Sequence, residues 1–215
     1  MIDYERAAIK ASETLVKYAV SKCPVSPLPI LEKMGNVLTV SFEELGDSSG
    51  IDRKDVAHLF GKCRDAVSSV HMKDGQAIYV VAYNGLLPYN MLQRALAREL
   101  GHIVLGHRER NADNEAEAEC FAKHFLCPRP VIHTIQAISM RMTEDLLGNL
   151  TGIYQQSLVS LRKTPGVNVP PGLNRFVRDQ FMPFILNFFE YYRNVMPQDG
   201  SALVDFGTFM DNYVE

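Results

Sequence analysis

The chain has little cysteine, and none of it sits at short spacing. Cys23, Cys63, Cys120 and Cys127 are scattered over 215 residues without a CxxC pair. In a chain this long that excludes a disulfide framework and points to reduced thiols in the cytoplasm. No apolar run approaches the roughly 18 residues of a transmembrane helix, so no membrane span is expected. The first 20 residues, MIDYERAAIKASETLVKYAV, form an acid-bearing amphipathic pattern. They lack the basic start, apolar stretch and small-residue cleavage site of a signal peptide. Neither GxGxxG nor GxxxxGK[ST] occurs, which removes the usual indications of a nucleotide. Positive charge is not in excess either. The formal net charge of −3 argues against an electrostatic nucleic-acid binder.

What is present is ordinary globular composition, 47% hydrophobic and 22% charged. The length suits one domain, or a domain with an appendage. Residues 3 to 20 carry Ala7, Ala8, Ala11, Leu15, Tyr18 and Ala19 at helical spacing. Pro27 to Met34 predicts a short helix, Val37 to Val40 a strand, Asp47 to Gly50 a turn and Asp52 to Cys63 a helix. Ala66 to Val70 and Ala77 to Tyr83 are strand candidates joined by the hairpin signal Lys73-Asp74-Gly75. Asn90 to Leu105 is strongly helical and Gly106 stops it. A second helix starts within Asn111 to Asn114, runs to Leu126 and is closed by Pro128 and Pro130. From Val131 onward the pattern is mostly helical, broken at Thr164 to Gly172. One helix, a small sheet and then helices predict an α+β fold.

The segment from Arg94 to His107 carries the chemistry. Positions i and i+4 of a helix lie about 40° apart on one face. Arg98 and His102 therefore share a face, with Glu99 at its edge. Leu92, Leu96, Leu100, Ile103 and Val104 form the opposite, core-facing side. On the second helix Glu115 and Glu119 share a face with Ala122, beside the apolar stripe Ala118, Phe121 and Phe125. Glu117 and His124 point the other way, and His124 is expected to be exposed. Two acids beside an apolar stripe need partners if that face packs inward.

Glu99-Leu100-Gly101-His102, then Ile103 to His107, then Glu115 to Ala122, then Phe125-Leu126-Cys127-Pro128, resembles the ImmA/IrrE family of zinc metallopeptidases. Its members carry HELGH, an ExEAxxFA helix and LLxP, and the likeness is close over residues 90 to 130. It implies a zincin-like α+β domain over residues 1–130, with a small β-sheet and two site helices. Residues 131–215 form a helical C-terminal region packed on it. In the family two histidines and a glutamate of the next helix bind Zn²⁺, and the motif glutamate is general base towards metal-bound water. The resemblance makes His102 and Glu115 metal ligands and Glu99 the base. It makes His107, which fits a recurrent HxxxxH extension, and Glu119, where Asn or Asp is usual, auxiliary candidates.

Arg98 departs from that pattern by standing in the first ligand's place. A guanidinium stays protonated and offers no lone pair. It would repel Zn²⁺ by roughly 7 kcal/mol at about 4.5 Å in an effective dielectric near 20. Its planar fork suits a different task, bridging Glu115 to Glu119 or Glu99 and tying the two helices without an ion. The loss of a zinc ligand then predicts a pseudopeptidase. The family's implied partner is a helix-turn-helix repressor, often from a mobile element or stress response. The alternative is an active zinc metalloendopeptidase with an atypical metal shell that cleaves such a repressor.

The remaining features are read plainly. His107 is expected at the surface or as a helix cap. His58, His71 and His133 have no partners at ligand spacing. Cys120 and Cys127 are expected to be small buried groups. Glu144 to Lys163 loosely resembles a helix-turn-helix and is expected to pack rather than bind DNA. Phe176 to Tyr192 is an aromatic helix expected to be buried, kinked or interrupted at Pro183.

Overall fold

The computed structural model describes residues 1–51, 55–56, 65–138, 148, 151 and 167–195, with side chains to Tyr191. The expected helix over 52–63, the helix-turn-helix candidate at 144–163, His58 and Cys63 lie outside these residues or at their margins.

Helix α1 runs Tyr4–Lys17, with the Asp3 side chain capping it by accepting from Arg6 N. It buries Ala7, Ala8, Ala11 and Leu15 along one stripe. Helix α2, Leu28–Lys33, leads into strand β1, Val37–Ser41. Ser41 then opens helix α3, Phe42–Ser49, through a capping box with Glu44. The turn expected at Asp47 to Gly50 is therefore the last turn of a helix. Gly50, at φ +67°, is its left-handed cap.

Strands β2, Ala66–Lys73, and β3, Gln76–Tyr83, form a hairpin. Asp74 and Gly75 have φ of +51° and +77°, the turn that suits the twist of paired strands. The sheet order is β1-β3-β2, with β1 parallel and β2 antiparallel to the central strand. Register places Ser68 beside Val81 and Thr39. Val81 and Val37 face the main core with Leu96 and Leu100, so Ser68 points towards the same side. The opposite face carries a small cluster of Phe42, Val56 and Ala82.

Helix α4, Tyr89–Leu105, packs against this sheet and against helix α5, Ala112–Leu126. Close approach of α4 and α5 depends on Gly101, where a Cβ would stand 3.0 Å from Phe121 Cδ1 and 3.2 Å from the Ala118 carbonyl oxygen. Helix α6, Arg129–Ile138, follows at once, so Pro130 starts a helix rather than closing one. Helix α7, Pro171–Val195, continues through Pro183 without interruption. Val177, Phe181, Phe184, Ile185 and Phe188 of α7 share one core with Leu15, Leu100 and Phe121. The protein is thus a mixed α+β fold, mostly helical, around a three-stranded sheet. Among the described residues no helix is long and apolar enough to cross a membrane.

Candidate functional site

Helix α4 presents Arg98, Glu99 and His102, and the first turn of α5 presents Glu115. The loop between them folds back over both. Gly106, at φ +71°, lets its own N–H and that of His107 return to the carbonyls of Ile103 and His102. His107 is thereby laid on His102 instead of at the surface. Its side chain is only 6% exposed.

Glu99 is fully buried, and Ser68 Oγ donates to its Oε2 at 2.7 Å. Arg110 Nη2 donates to the same Oε2, while Arg110 Nη1 donates to Glu115 Oε1 at 3.1 Å. The helix-tying role expected of Arg98 therefore belongs to Arg110. Arg98 approaches Glu99 at 3.7 Å and Glu115 at 3.8 Å without a hydrogen bond, and its Nε is buried without a partner. Arg98 thus stands beside both acids as a nearby charge, while the loop side chain of Arg110 makes the hydrogen bonds to both. Glu119 is engaged elsewhere, accepting from Arg94 Nη2 at 2.7 Å.

A second chain of contacts runs inward from His102. Its Nδ1 lies 3.0 Å from His107 Nδ1, and His107 Nε2 lies 3.2 Å from Glu117 Oε2. A carboxylate only accepts, so His107 donates from Nε2 and, when neutral, accepts at Nδ1. His102 then donates from Nδ1 and carries its lone pair on Nε2. That Nε2 is buried without a hydrogen bond, 3.4 Å from Glu115 Oε1. Burial is the main force holding the His102 imidazole below its usual pKa. Glu99 and Glu115 pull the other way, and Arg110 and His107 lower it further. Glu117 also accepts from Asp3 N at 2.8 Å, and Arg6 Nη2 donates to the Leu105 carbonyl at 2.6 Å. The start of α1 so braces the end of α4.

A cavity of about 280 Å³ adjoins these groups. Ser68, Ser69, Tyr79, His102, His107 and Arg110 are among its walls.

His124 is buried, which corrects the exposed position expected for it. Its Nδ1 donates to the Cys120 carbonyl at 2.9 Å and lies 3.6 Å from Cys120 Sγ. This pair is no nucleophile, because burial pushes the Cys120 thiol up to about 11. His71, bonded to Ser69 Oγ, and His133 are exposed and far from ligand geometry.

A catalytic zinc takes three protein ligands and an open position. His102 Nε2 and Glu115 are two donors, and two guanidinium groups stand around them. This set does not fit Zn²⁺ in number or in charge. Among the described residues no group of three or more His, Cys, Asp and Glu side chains is arranged to hold a metal.

Comparison with family models, with curated proteins and with solved structures finds no match. The geometry therefore carries the functional reading. Periodicity puts Arg98 and His102 on one face of the first helix, with Glu99 at its edge, and Glu115 on a face of the second; the resemblance brings the two together. Neither points to Arg110 or Ser68, loop and strand residues with no helical spacing to read, and Glu117, expected to point away, is buried against His107. The available signal was electrostatic: acids facing inward require a cation, and Arg110 stands just before the helix that bears Glu115.

Proposed function

We propose that this chain is an ImmA/IrrE-like regulatory protein of zincin-like fold. On this reading it is a cytoplasmic pseudopeptidase that binds a protein partner, such as a helix-turn-helix repressor, without cutting it. The carrying observation is the Arg110–Glu99 ion pair. Glu99 stands where the resemblance puts a general base. A base must be free to take a proton from water held beside it. Here one oxygen of Glu99 accepts from Ser68 and Arg110, and the other is buried away from solvent. Arg98 fills the place of the first metal ligand, so nothing activates the water. The sheet, the two site helices and the adjoining cavity remain as a surface for a partner. The described cysteines are free thiols, in keeping with a reducing compartment.

One feature favours the alternative, an active zinc metalloendopeptidase with an atypical metal shell. His102 Nε2 and Glu115 Oε1 face each other as two acceptors with no donor between them. Metal content separates the readings. The protein is purified without chelator or nickel, given zinc, dialysed and measured by elemental mass spectrometry. A pseudopeptidase retains essentially none. Retention of about one zinc per chain would overturn that reading and favour the enzyme.

A further inference from the structure

We infer that Arg110 is an internal counter-cation closing a latent divalent-cation site between His102 and Glu115, so that two arginines, not one, keep metal out. The inference rests on the pseudopeptidase reading and says how its site is held shut.

Three observations lead to Arg110. Acceptors converge on one point: the His102 Nε2 lone pair and Glu115 Oε1 are 3.4 Å apart, with no hydrogen bond joining them. Such a pair attracts a cation. The cation that answers comes from the loop, since Arg110 Nη1 donates to that same Glu115 oxygen while Nη2 donates to Glu99. Arg98 does not answer, although it lies on the same helix as His102; it makes no hydrogen bond to either acid, and its Nε is buried without one.

The charges make the same point. Among the described residues the carboxylates of Glu99 and Glu115 face the guanidinium groups of Arg98 and Arg110. A divalent cation placed beside them adds charge where the acids are already compensated, in a partly buried place. Replacing Arg98 with histidine supplies a third ligand and removes one charge, yet Arg110 still holds Glu115. Removing the Arg110 charge as well releases that oxygen and makes room for the ion's charge.

The test compares Arg98→His, Arg98→His/Arg110→Gln and Arg98→His/Arg110→Lys with the wild type. Glutamine keeps a donor for Glu99 and guards the fold, while lysine keeps the charge. Zinc per chain is counted after dialysis. Cobalt is titrated by visible absorption, which reports tetrahedral ligation without any assay of activity. Circular dichroism establishes that each variant is folded. The glutamine double variant is expected to hold about one metal ion, at least about tenfold more tightly than Arg98→His or the lysine double variant. Equal affinity in Arg98→His and the glutamine double variant would overturn the role of Arg110 and leave the reading of a decayed metal centre standing. Tight metal in the lysine double variant would overturn the charge argument. No metal in any folded variant would overturn both the inference and the decayed-centre reading, and so would metal in the wild type.

Discussion

Arg110 lies directly on Glu99, donating to a carboxylate that has no exposed surface. The same guanidinium reaches Glu115, so one loop side chain joins the C-terminal half of α4 to the first turn of α5. Charge-assisted bonds of this fork geometry are among the stronger polar contacts in proteins. Breaking one side of a buried pair leaves the other charge without compensation.

Arg110→Ala is accordingly expected to destabilise the fold by about 2–3 kcal/mol, somewhat below the usual cost because the Arg110 side chain is partly solvated. Arg98→Ala, which removes no hydrogen bond, is expected to cost less than about 1 kcal/mol. Urea denaturation of the two variants beside the wild type gives the order. A larger loss in Arg98→Ala would restore to Arg98 the bridging role that sequence alone suggests.

That reversal shows where the sequence was legible. Helical periodicity located α1, α4 and α5 and put Arg98 with His102 on one face and Glu115 with Glu119 on another, because side-chain direction on a helix follows from spacing; only the resemblance brought those two faces together. The hairpin of β2 and β3 was legible through Lys73-Asp74-Gly75. Helix α3 was not, since its apolar content is slight and its start is written in a capping box, Ser41 with Glu44. The partner of Glu99 was not legible either. Ser68 is brought there by strand register, and Arg110 by a turn whose left-handed residue is Gly106. Tertiary placement of this kind leaves no periodic trace. His124 illustrates the opposite error: a polar residue on a nominally outer face is buried because α1 packs against α5.

His124 and His102 give the protein an acid limit. Burial lowers both imidazoles from their ordinary value of 6.5. A group with a lowered folded pKa takes up its proton more readily in the unfolded chain. Their contribution is fully present above about pH 6.5 and is lost as the pH falls below it. The urea midpoint is expected to drop between pH 7.5 and 5.5, and His124→Phe is expected to flatten that dependence. An unchanged slope in the variant would mean that His124 is protonated equally in both states.

Thiol reactivity follows from burial in the same way. Desolvation pushes Cys23 up to about 12 and Cys120 up to about 11, and it raises Cys127 as well. Thiolate is the reactive form, so these three are expected to resist a disulfide reagent at pH 8 until the chain unfolds. Fast labelling of the native protein, followed by peptide mapping, is expected to find Cys63 alone or nothing. Labelling of Cys120 would show that its contact with His124 activates it.

Gly101 tests whether the two site helices must touch. Alanine there gains about 1 kcal/mol of helix propensity over glycine. Against that, the added methyl would stand 3.2 Å from the Ala118 carbonyl oxygen, which is backbone and cannot rotate aside. Phe121, at 3.0 Å, is itself fully buried and has little room to yield. The helices must therefore separate, and overpacking of this kind costs about 1–3 kcal/mol, occasionally more. Gly101→Ala is expected to lose about 2 kcal/mol net, since the parting also stretches the Arg110 contacts to Glu99 and Glu115. If separation is the cause, the loss will be less than additive with Arg110→Ala in a double-mutant cycle, because both changes weaken the same α4–α5 seam. Full additivity would place the strain of Gly101→Ala in the core around Phe121 and leave the seam intact.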